Sequence, residues 1–463
     1  VFYPALMLLC AMSPPGLAWV APDPQAIEEV AAGKRTVANA AWWGFDPMDS
    51  TRYLQAAINS KASTVIIPNM GQDWIVRPIF LRSNLELVFE EGVVVTAKKG
   101  DYFGKHDSVF TARDIENVTL KGYGATIRMH KDDYTQPYYP KSQHRMGVNI
   151  RGCNNVQVLG LTIRDTGGDG IYIGRGSRGL CEGVVIKDVV CDNNYRQGIS
   201  VISAKNLLIE NSVFKNTSGT LPMAGIDFEP NQADERLEQI VVRNCVFDGN
   251  EYYGVTINLK PLTCEAEVSI HMENILIRGS RSGFSVKARP EDHPTGTITL
   301  RNAVIEDVAR NAIRVEHIID QDTLELSFED CILHNVATDA PDGGDHPHTS
   351  VPIFLEGFSH IARVNLRNVV VADARERPSL YVGVTKPYTS DAFAAIQGDL
   401  HVINPYGPQV RWGRRAPNEE ALQGIRLQVH EMKAVQVEYD RIISLEDYRL
   451  PPLTVSADTL TAR

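Results

Sequence analysis

A chain of 463 residues that is 43% hydrophobic and carries 35 glycines and 25 prolines has apolar material for one long core and an abundance of turn formers. Its 46 basic and 57 acidic residues give a net charge of −11 with no basic stripe, which argues against a nucleic-acid partner. One elongated domain fits this composition better than three globular ones.

Residues 1–21 hold an apolar run, Ala5-Leu6-Met7-Leu8-Leu9-Cys10-Ala11-Met12, followed by Pro-Pro-Gly and small residues, the layout of a secretory signal. Cleavage is expected after Ala21 or close to it, leaving a secreted or periplasmic protein. No later apolar stretch reaches the length of a membrane span, so no membrane partner is expected after signal removal. Within 22–63, Asp49-Ser50-Thr51 ahead of Tyr53, Leu54, Ala57 and Ile58 reads as a capped amphipathic helix that covers an open sheet end. Trp42-Trp43-Gly44-Phe45 is expected to pack that cap onto the core. Strand patterns follow at 64–67, 74–76, 85–89 and 93–96.

The middle of the chain repeats one turn: Gly-Asp-Gly-Ile-Tyr-Ile (168–173), Arg-Gln-Gly-Ile-Ser-Val (196–201), Met-Ala-Gly-Ile-Asp-Phe (223–228), Tyr-Tyr-Gly-Val-Thr-Ile (252–257), Arg-Ser-Gly-Phe-Ser-Val (281–286) and Arg-Asn-Ala-Ile-Arg-Val (310–315). The anchors Gly170, Gly198, Gly225, Gly254, Gly283 and Ala312 stand 27 to 29 residues apart. A second strand signal accompanies each, at 156–163, 183–191, 207–214, 239–247, 268–277, 297–305 and 324–333, without helical periodicity between them. A fixed period of this size with Gly and Asn corners predicts a right-handed, single-stranded parallel β-helix over 64–375. The strand at 362–371 is expected to be the last, and 376–463 reads as a C-terminal cap or tail. Corner residues such as Asp192-Asn193-Asn194, Asn216 and Asp248-Gly249-Asn250 are expected to form turns and stacked amide ladders.

Once the leader is removed, Cys153, Cys181, Cys191, Cys245, Cys264 and Cys331 remain, and their spacing fits buried core thiols better than a disulfide framework. No CxxC pair or HExxH suggests a metal, and no cofactor is expected. The Asp-rich segment 339–348 lacks the spacing of a calcium loop and reads as an insertion.

Alternation divides the repeated strand into an inward set, from Ile171 to Ile313, and an outward column: Tyr172, Ser200, Asp227, Thr256, Ser285 and Arg314. This column is expected to be exposed. A neighbouring column holds Glu229, Asn258 and Lys287, and Asp169, Arg196, Gln197, Tyr252 and Tyr253 stand just before the strands. Such a face reads as a sugar-binding groove, in which Tyr172, Tyr252 and Tyr253 stack on rings and Arg196 and Lys287 hold an anionic group. Asn231 lies just past the carboxylates, and the irregular loops 219–223 and 261–265 flank them.

The chemistry is placed at Gly225-Ile226-Asp227-Phe228-Glu229-Pro230-Asn231. Strand rise alone separates the Asp227 and Glu229 Cα atoms by about 6.7 Å, near the roughly 6.5–9.5 Å expected of an acid and a base flanking a water in an inverting glycosidase. Glu229 is assigned as general acid, Asp227 as general base, and Asp169 as substitute base or sugar ligand, with Arg196 and Gln197 orienting water or a substrate oxygen. A second constellation, Arg128-Met129-His130-Lys131 with Asp132, Asp133, Tyr134, His144 and Arg145, supplies residue types used by lyases and epimerases. His130 and Lys131 are therefore further subsite candidates.

With Gly168-Asp169-Gly170-Ile171-Tyr172-Ile173 and Arg196-Gln197-Gly198-Ile199, residues 50–375 resemble the exported right-handed β-helix proteins of the pectate-lyase-like superfamily. The resemblance implies polysaccharide hydrolases, lyases or epimerases working in a groove along one sheet. Asp227 and Glu229 are similar to the paired carboxylates of iota-carrageenase-type β-helix hydrolases. The Gly-His-Gly and Arg-x-Lys signatures of polygalacturonases are missing, as are the calcium-binding Asp cluster and Arg-rich motif of pectate lyases, which leaves the substrate open. The expectation is an exported, inverting glycoside hydrolase of an acidic or sulfated polysaccharide or oligosaccharide. A lyase or uronate C5-epimerase, and a non-catalytic glycan-binding surface β-helix, are the alternatives.

Overall fold

In this computed structural model, described for residues 18–260, 262–263, 266–289, 294–318, 324–339, 350–372, 375, 377–387, 395–403, 409–413 and 426–432, the chain winds as a parallel solenoid. One face is a sheet of 12 strands, each paired in parallel with the next. It runs from Ile79–Phe80 through Val148–Arg151, Asp169–Gly174, Gln197–Val201, Ala224–Phe228, Tyr253–Asn258 and Ser282–Lys287 to Val410–Trp412. The return path of each coil joins a sheet of 20 strands. In early coils it is two short strands, as in Asn154–Leu159 and Thr162–Arg164; from Leu237–Asp248 onward these merge into one long strand.

Register places like residues on top of one another. Ile171 pairs with Ile199, Ile199 with Ile226, Ile226 with Val255, Val255 with Phe284 and Phe284 with Ile313. All are buried in one continuous core. At the anchors glycine is required by space. A Cβ on Gly170 would meet the Gly198 carbonyl oxygen at 2.6 Å, one on Gly198 the Gly225 oxygen at 2.5 Å, and one on Gly283 the Ala312 oxygen at 2.4 Å.

Asparagines hold the opposite corners. Asn211, Asn244, Asn274 and Asn302 all take left-handed φ values near 50°, between 49° and 56°. The side-chain amides of Asn244, Asn274 and Asn302 each donate to the side-chain oxygen of the asparagine one coil back, at 3.0, 2.9 and 2.6 Å, and Asn211 donates to Asp188 at 3.2 Å. Asn216 similarly donates to Asp192 at 2.8 Å and Asn193 to Asp165 at 2.7 Å. These residues tolerate the left-handed region and their amides satisfy one another, so the ladder expected from the corners is present.

Helix Thr51–Ile58 buries Tyr53, Leu54, Ala57 and Ile58 at the N-terminal end. Asp49, rather than Ser50, supplies its cap, accepting from Thr51 N at 3.1 Å. A second helix, Pro24–Ala31, is capped by Asp23 and was not anticipated. Phe45 packs edge-on against Trp74 at 4.9 Å, so the aromatic segment does fasten the cap. Val20 exchanges two backbone bonds with Phe45, both 2.9 Å, which a cut after Ala21 would remove. Residues 1–17 lie outside the described residues, as do Cys264, Pro261 and Glu265, residues 340–348 of the Asp-rich segment, and 433–463.

The C-terminal boundary needs correction. Coils continue past 375 through Leu380–Val384, Ile396–Ile403, Val410–Trp412 and Arg426–Met432, each paired with the preceding coil. Register gives the anchor position to Pro352, Ser379 and Gln409, none of them glycine, and the first step, 352 − 312 = 40 residues, breaks the period before it resumes with 379 − 352 = 27 and 409 − 379 = 30. Cys153, Cys181, Cys191, Cys245 and Cys331 are buried free thiols. Among the described residues no helix is long and apolar enough to cross a membrane.

Gly198→Ala drives a methyl against the Gly225 carbonyl and the Phe214 ring, neither of which can retreat without opening the ladder. It should cost about 1–3 kcal/mol of stability, read as a lowered denaturant midpoint, and an unchanged midpoint would refute the close-approach account.

Candidate active site

The outward column keeps its expected register, with Tyr172, Ser200, Asp227, Thr256, Ser285 and Arg314 in successive pairs. It is not exposed as expected: Ser200, Asp227, Thr256 and Ser285 are each at most 2% accessible. Long side chains and a loop lie over it. Arg145 bridges back to Gly167, and the backbone at Gln143 and Arg145 sits directly against Gly168. The loop that arrives there carries His144 to the start of the Asp169 strand.

Asp169, Asp227, Glu229, Arg196 and Gln197 come together as the sequence implied. Gln197 stands between Asp169 and Ala224 in register. Its Oε1 accepts from Ala224 N at 3.0 Å, which turns its Nε2 toward Asp227 Oδ2 at 2.7 Å. Arg196 reaches Glu229 Oε2 at 2.6 Å with Nη2 and Asp169 Oδ1 at 3.7 Å with Nη1. One guanidinium thus faces three acids.

Asp227 and Asp169 are wholly enclosed, whereas the Glu229 side chain is 26% accessible and is the member a ligand can reach. Burial, then the neighbouring Glu229 charge, pushes the Asp227 carboxyl well above the carboxylate range, against the pull of Arg196. The Glu229 carboxyl acts directly on Asp227, and it is the enclosed Asp227 whose charged form is disfavoured. The separation expected for a water between them is therefore not realised: the side chains converge although the Cα atoms lie two residues apart. Burial also raises Asp169, to about 6, with Arg196 and the Ser200 hydroxyl opposing it. Neither Asp169 oxygen receives a well-formed hydrogen bond. Burial disfavours the Arg196 cation, yet the charges of Asp169, Asp227 and Glu229 outweigh it and hold the guanidinium charged.

His144 joins this group. Burial and then the Arg196 charge lower its imidazole to about 4, so it is neutral at ordinary pH. It stacks on His106 at 5.2 Å. The sequence named His144 within the second constellation but did not single it out as a site residue, because nothing local shows that its loop closes onto Gly168.

Other candidates fall elsewhere. Tyr172 is 8% accessible and its ring lies under the Arg151 guanidinium at 4.1 Å, so it offers no open face for a sugar. Tyr252 and Tyr253 pack on each other at 4.5 Å, and Arg310 donates to the Tyr252 hydroxyl at 2.9 Å. Asn258, Lys287 and Glu316 stack in the column beside them, half-buried. Asn231 is exposed on the turn after Glu229, where its backbone N–H and that of Gln232 bind the buried Glu235 carboxylate. His130 and Lys131 are not in the groove. His130 bonds the Ala97 carbonyl at 2.8 Å, and Lys131 donates to Asn193 at 2.8 Å and Ser218 at 2.7 Å, fastening the loop to a corner. Among the described residues, ligand atoms of Glu316, His317 and Glu356 lie within 4.8 Å of one another, a spacing suited to a divalent cation that the sequence had not disclosed. Arg314 already pairs with Glu316 at 2.5 Å.

The family model for a right handed beta helix region matches residues 113–337. The fold of the chain is therefore a right-handed parallel β-helix. A curated relative, the uncharacterized protein YclG of Bacillus subtilis strain 168, is 27% identical over 237 residues, 46% of this chain, which spans only 39% of that relative's length. Among solved structures, a family 28 exopolygalacturonase of Yersinia enterocolitica is 15% identical, with 87% of this chain and 78% of that chain covered and a TM-score of 0.51. The Streptococcus pneumoniae surface adhesin PfbA is 14% identical, with 86% and 93% covered and a TM-score of 0.53. A hyperthermoactive exopolygalacturonase of Thermotoga maritima is 13% identical, with 89% and 96% covered and a TM-score of 0.51. At these identities the likeness to the solved structures is one of fold, and it includes both enzymes and an adhesin.

The raised Asp169 carboxyl makes a directional prediction. Between its ordinary value of 3.8 and about 6 the folded state holds a proton that the unfolded chain releases. Its contribution therefore favours the fold at low pH and is lost as pH rises through about 6. Asp169→Asn should flatten the decline in melting temperature over that window, and an unaltered pH profile would show that Asp169 is not held this way.

Proposed function

We propose that this is an exported glycoside hydrolase acting on an acidic or sulfated polysaccharide, or an oligosaccharide released from one. The observation that carries the reading is the enclosed Asp227 carboxyl, pushed well above the carboxylate range beside the accessible Glu229 despite the Arg196 guanidinium. A carboxyl held protonated near neutral pH is what protonation of a glycosidic oxygen requires. Glu229, the accessible member, delivers the proton; Asp227, sealed behind it, is the carboxyl that burial keeps protonated. Asp169, across the guanidinium from Glu229, takes the base role that the sequence reading gave to Asp227. With acid and base on either side of Arg196 rather than in contact, attack of water with inversion is the expected course. The cations Lys287, Arg281 and Arg314 along the same face support an anionic substrate. Export rests on the apolar leader within residues 1–21.

His144 supports a second reading. A neutral base beside the guanidinium of Arg196 is also an arrangement suited to proton abstraction next to a uronate carboxylate, as in a lyase or C5-epimerase. The fold likeness to PfbA keeps a glycan-binding role without turnover as the third outcome. The experiment is a panel of neutral, uronic and sulfated glycans followed for reducing ends and for the ultraviolet absorbance of unsaturated uronates. Reducing ends without absorbance support hydrolysis, both together support the lyase, and neither leaves binding or epimerisation.

Under the hydrolase reading Glu229→Gln should lower kcat by about 10²–10⁴-fold. Asp227→Asn, which removes the carboxyl that Gln197 orients, should lower kcat by about ten-fold or more. Turnover at the wild-type rate in both variants would refute the assignment.

A further inference from the structure

We infer that a second sugar-binding surface stands beside this site: an aromatic platform formed by Phe103, Tyr138 and Tyr139 that stacks on pyranose rings of the substrate chain away from the point of cleavage. The inference rests on the glycan-active reading of the groove and adds to it a place for the rest of the chain.

The platform belongs to the two loops that precede strands Phe110–Arg113 and Val148–Arg151. Phe103 and Tyr139 stack at 4.9 Å with 26° between their planes, and Tyr138 lies against Tyr139 at 4.9 Å. Tyr139 is covered, while Phe103 is 47% and Tyr138 59% accessible. Two large rings, one from each loop, thus pack on the covered Tyr139 and remain about half exposed.

These rings are held rigidly. Tyr138 and Tyr139 donate to the two oxygens of Asp133 at 2.6 and 3.1 Å. Beneath them Arg145 is fully buried, donating to the Tyr102 carbonyl at 2.7 Å and the Pro140 carbonyl at 2.8 Å, with its guanidinium 5.5 Å from the Tyr139 ring. Ser142 ties one loop to the other through the Lys105 carbonyl at 2.5 Å. A fold that needed these rings only as packing would turn them inward, as it does Tyr134. Instead Phe103 and Tyr138 keep about half of their surface exposed while packed on Tyr139, so a sugar ring stacks on the remaining surface with little ordering cost.

The platform's loops lead toward the candidate active site. His106 lies three residues beyond Phe103 and stacks on His144, whose imidazole feels the charges of Arg196 and Glu229. From the Val148–Arg151 strand to the Ala224–Phe228 strand is three coil steps, about 14 Å at roughly 4.8 Å per step, so a chain cleaved at Glu229 reaches the platform several sugar units away.

The test uses the full chain carrying Glu229→Gln, so that bound glycan is not consumed, and measures its retardation in gels containing polygalacturonate, alginate or a sulfated galactan. Adding Phe103→Ala and Tyr138→Ala should weaken retardation by the retained polymer at least five-fold, while Phe103→Tyr with Tyr138→Phe preserves it. Both rings are at the surface, and an unchanged near-ultraviolet circular dichroism signal from the remaining aromatics confirms the fold. Equal retardation of the alanine variant, or no retardation by any of these polymers, overturns the platform. On the chain with Glu229 intact, the alanine pair should raise KM for the polymer and leave kcat on a disaccharide unaltered. Retardation that depends on the rings, in a chain that releases no reducing ends, would refute the hydrolase reading and leave the platform standing.

Discussion

Parallel coils can hydrogen-bond only at about 4.8 Å per turn, and the corner glycines allow the backbones to come that close. A Cβ at Gly170, Gly198, Gly254 or Gly283 would lie 2.2–2.6 Å from a neighbouring atom. Once that spacing is set, residues at equal positions in successive coils must stack, and the strand alternation sends one set inward and the next outward. The Ile, Val and Phe column of the core and the Ser200–Asp227–Thr256 column of the groove are two readings of one repeat. The site therefore needs no special local fold; it needs particular residues at outward positions of adjacent coils.

Stacking also creates the electrostatic tension of the site. Three carboxyls and one guanidinium sit where water is largely excluded, and a buried carboxylate without a partner is costly. Arg196 is within 4 Å of Asp169 and Glu229, but a single positive charge cannot neutralise three negative ones. The remaining imbalance is relieved by protons, and it falls on the acids that solvent reaches least. Gln197 then matters for direction: with its oxygen fixed by Ala224 N, its nitrogen faces Asp227 Oδ2, leaving the other Asp227 oxygen without a donor. A proton on Asp227 relieves that oxygen, in keeping with its raised carboxyl.

The period, the inward column and the meeting of Asp169, Arg196, Gln197, Asp227 and Glu229 were all legible in the sequence, because each depends on spacing within the repeat. What lay outside the repeat was not. The burial of the outward column comes from the loop that closes on Gly168 and from arginine side chains crossing Tyr172 and Phe354, contacts that no periodicity encodes. Lys131 was a subsite candidate by residue type, yet its ammonium is bound by Asn193 and Ser218, residues 62 and 87 positions away. The coils beyond 375 were missed because Pro352, Ser379 and Gln409 occupy the anchor place and the step from Ala312 is far longer than its predecessors. Their corners do not bear the glycine mark, although their strands carry the same register.

The same division separates what the solenoid supplies from what distinguishes this chain. Coils fix positions to within a strand spacing, so they suit groups that must meet, such as the acids and Arg196. They cannot by themselves create an enclosed site, since every outward side chain of a bare solenoid faces water. Enclosure, and with it the raised carboxyls, depends on the loop before Val148, whose buried Arg145 binds the Tyr102 and Pro140 carbonyls and lies against Tyr134 and Tyr139. One inserted loop thus both shuts water away from Asp169 and presents aromatic rings outside. The anchor arithmetic locates that insertion: Val109 and Gly147, the residues before paired Phe110 and Val148, are 147 − 109 = 38 apart, whereas Gly147 and Gly170 are 170 − 147 = 23 apart. An unusually long step between anchors is therefore where chemistry and specificity are added to an otherwise repetitive frame.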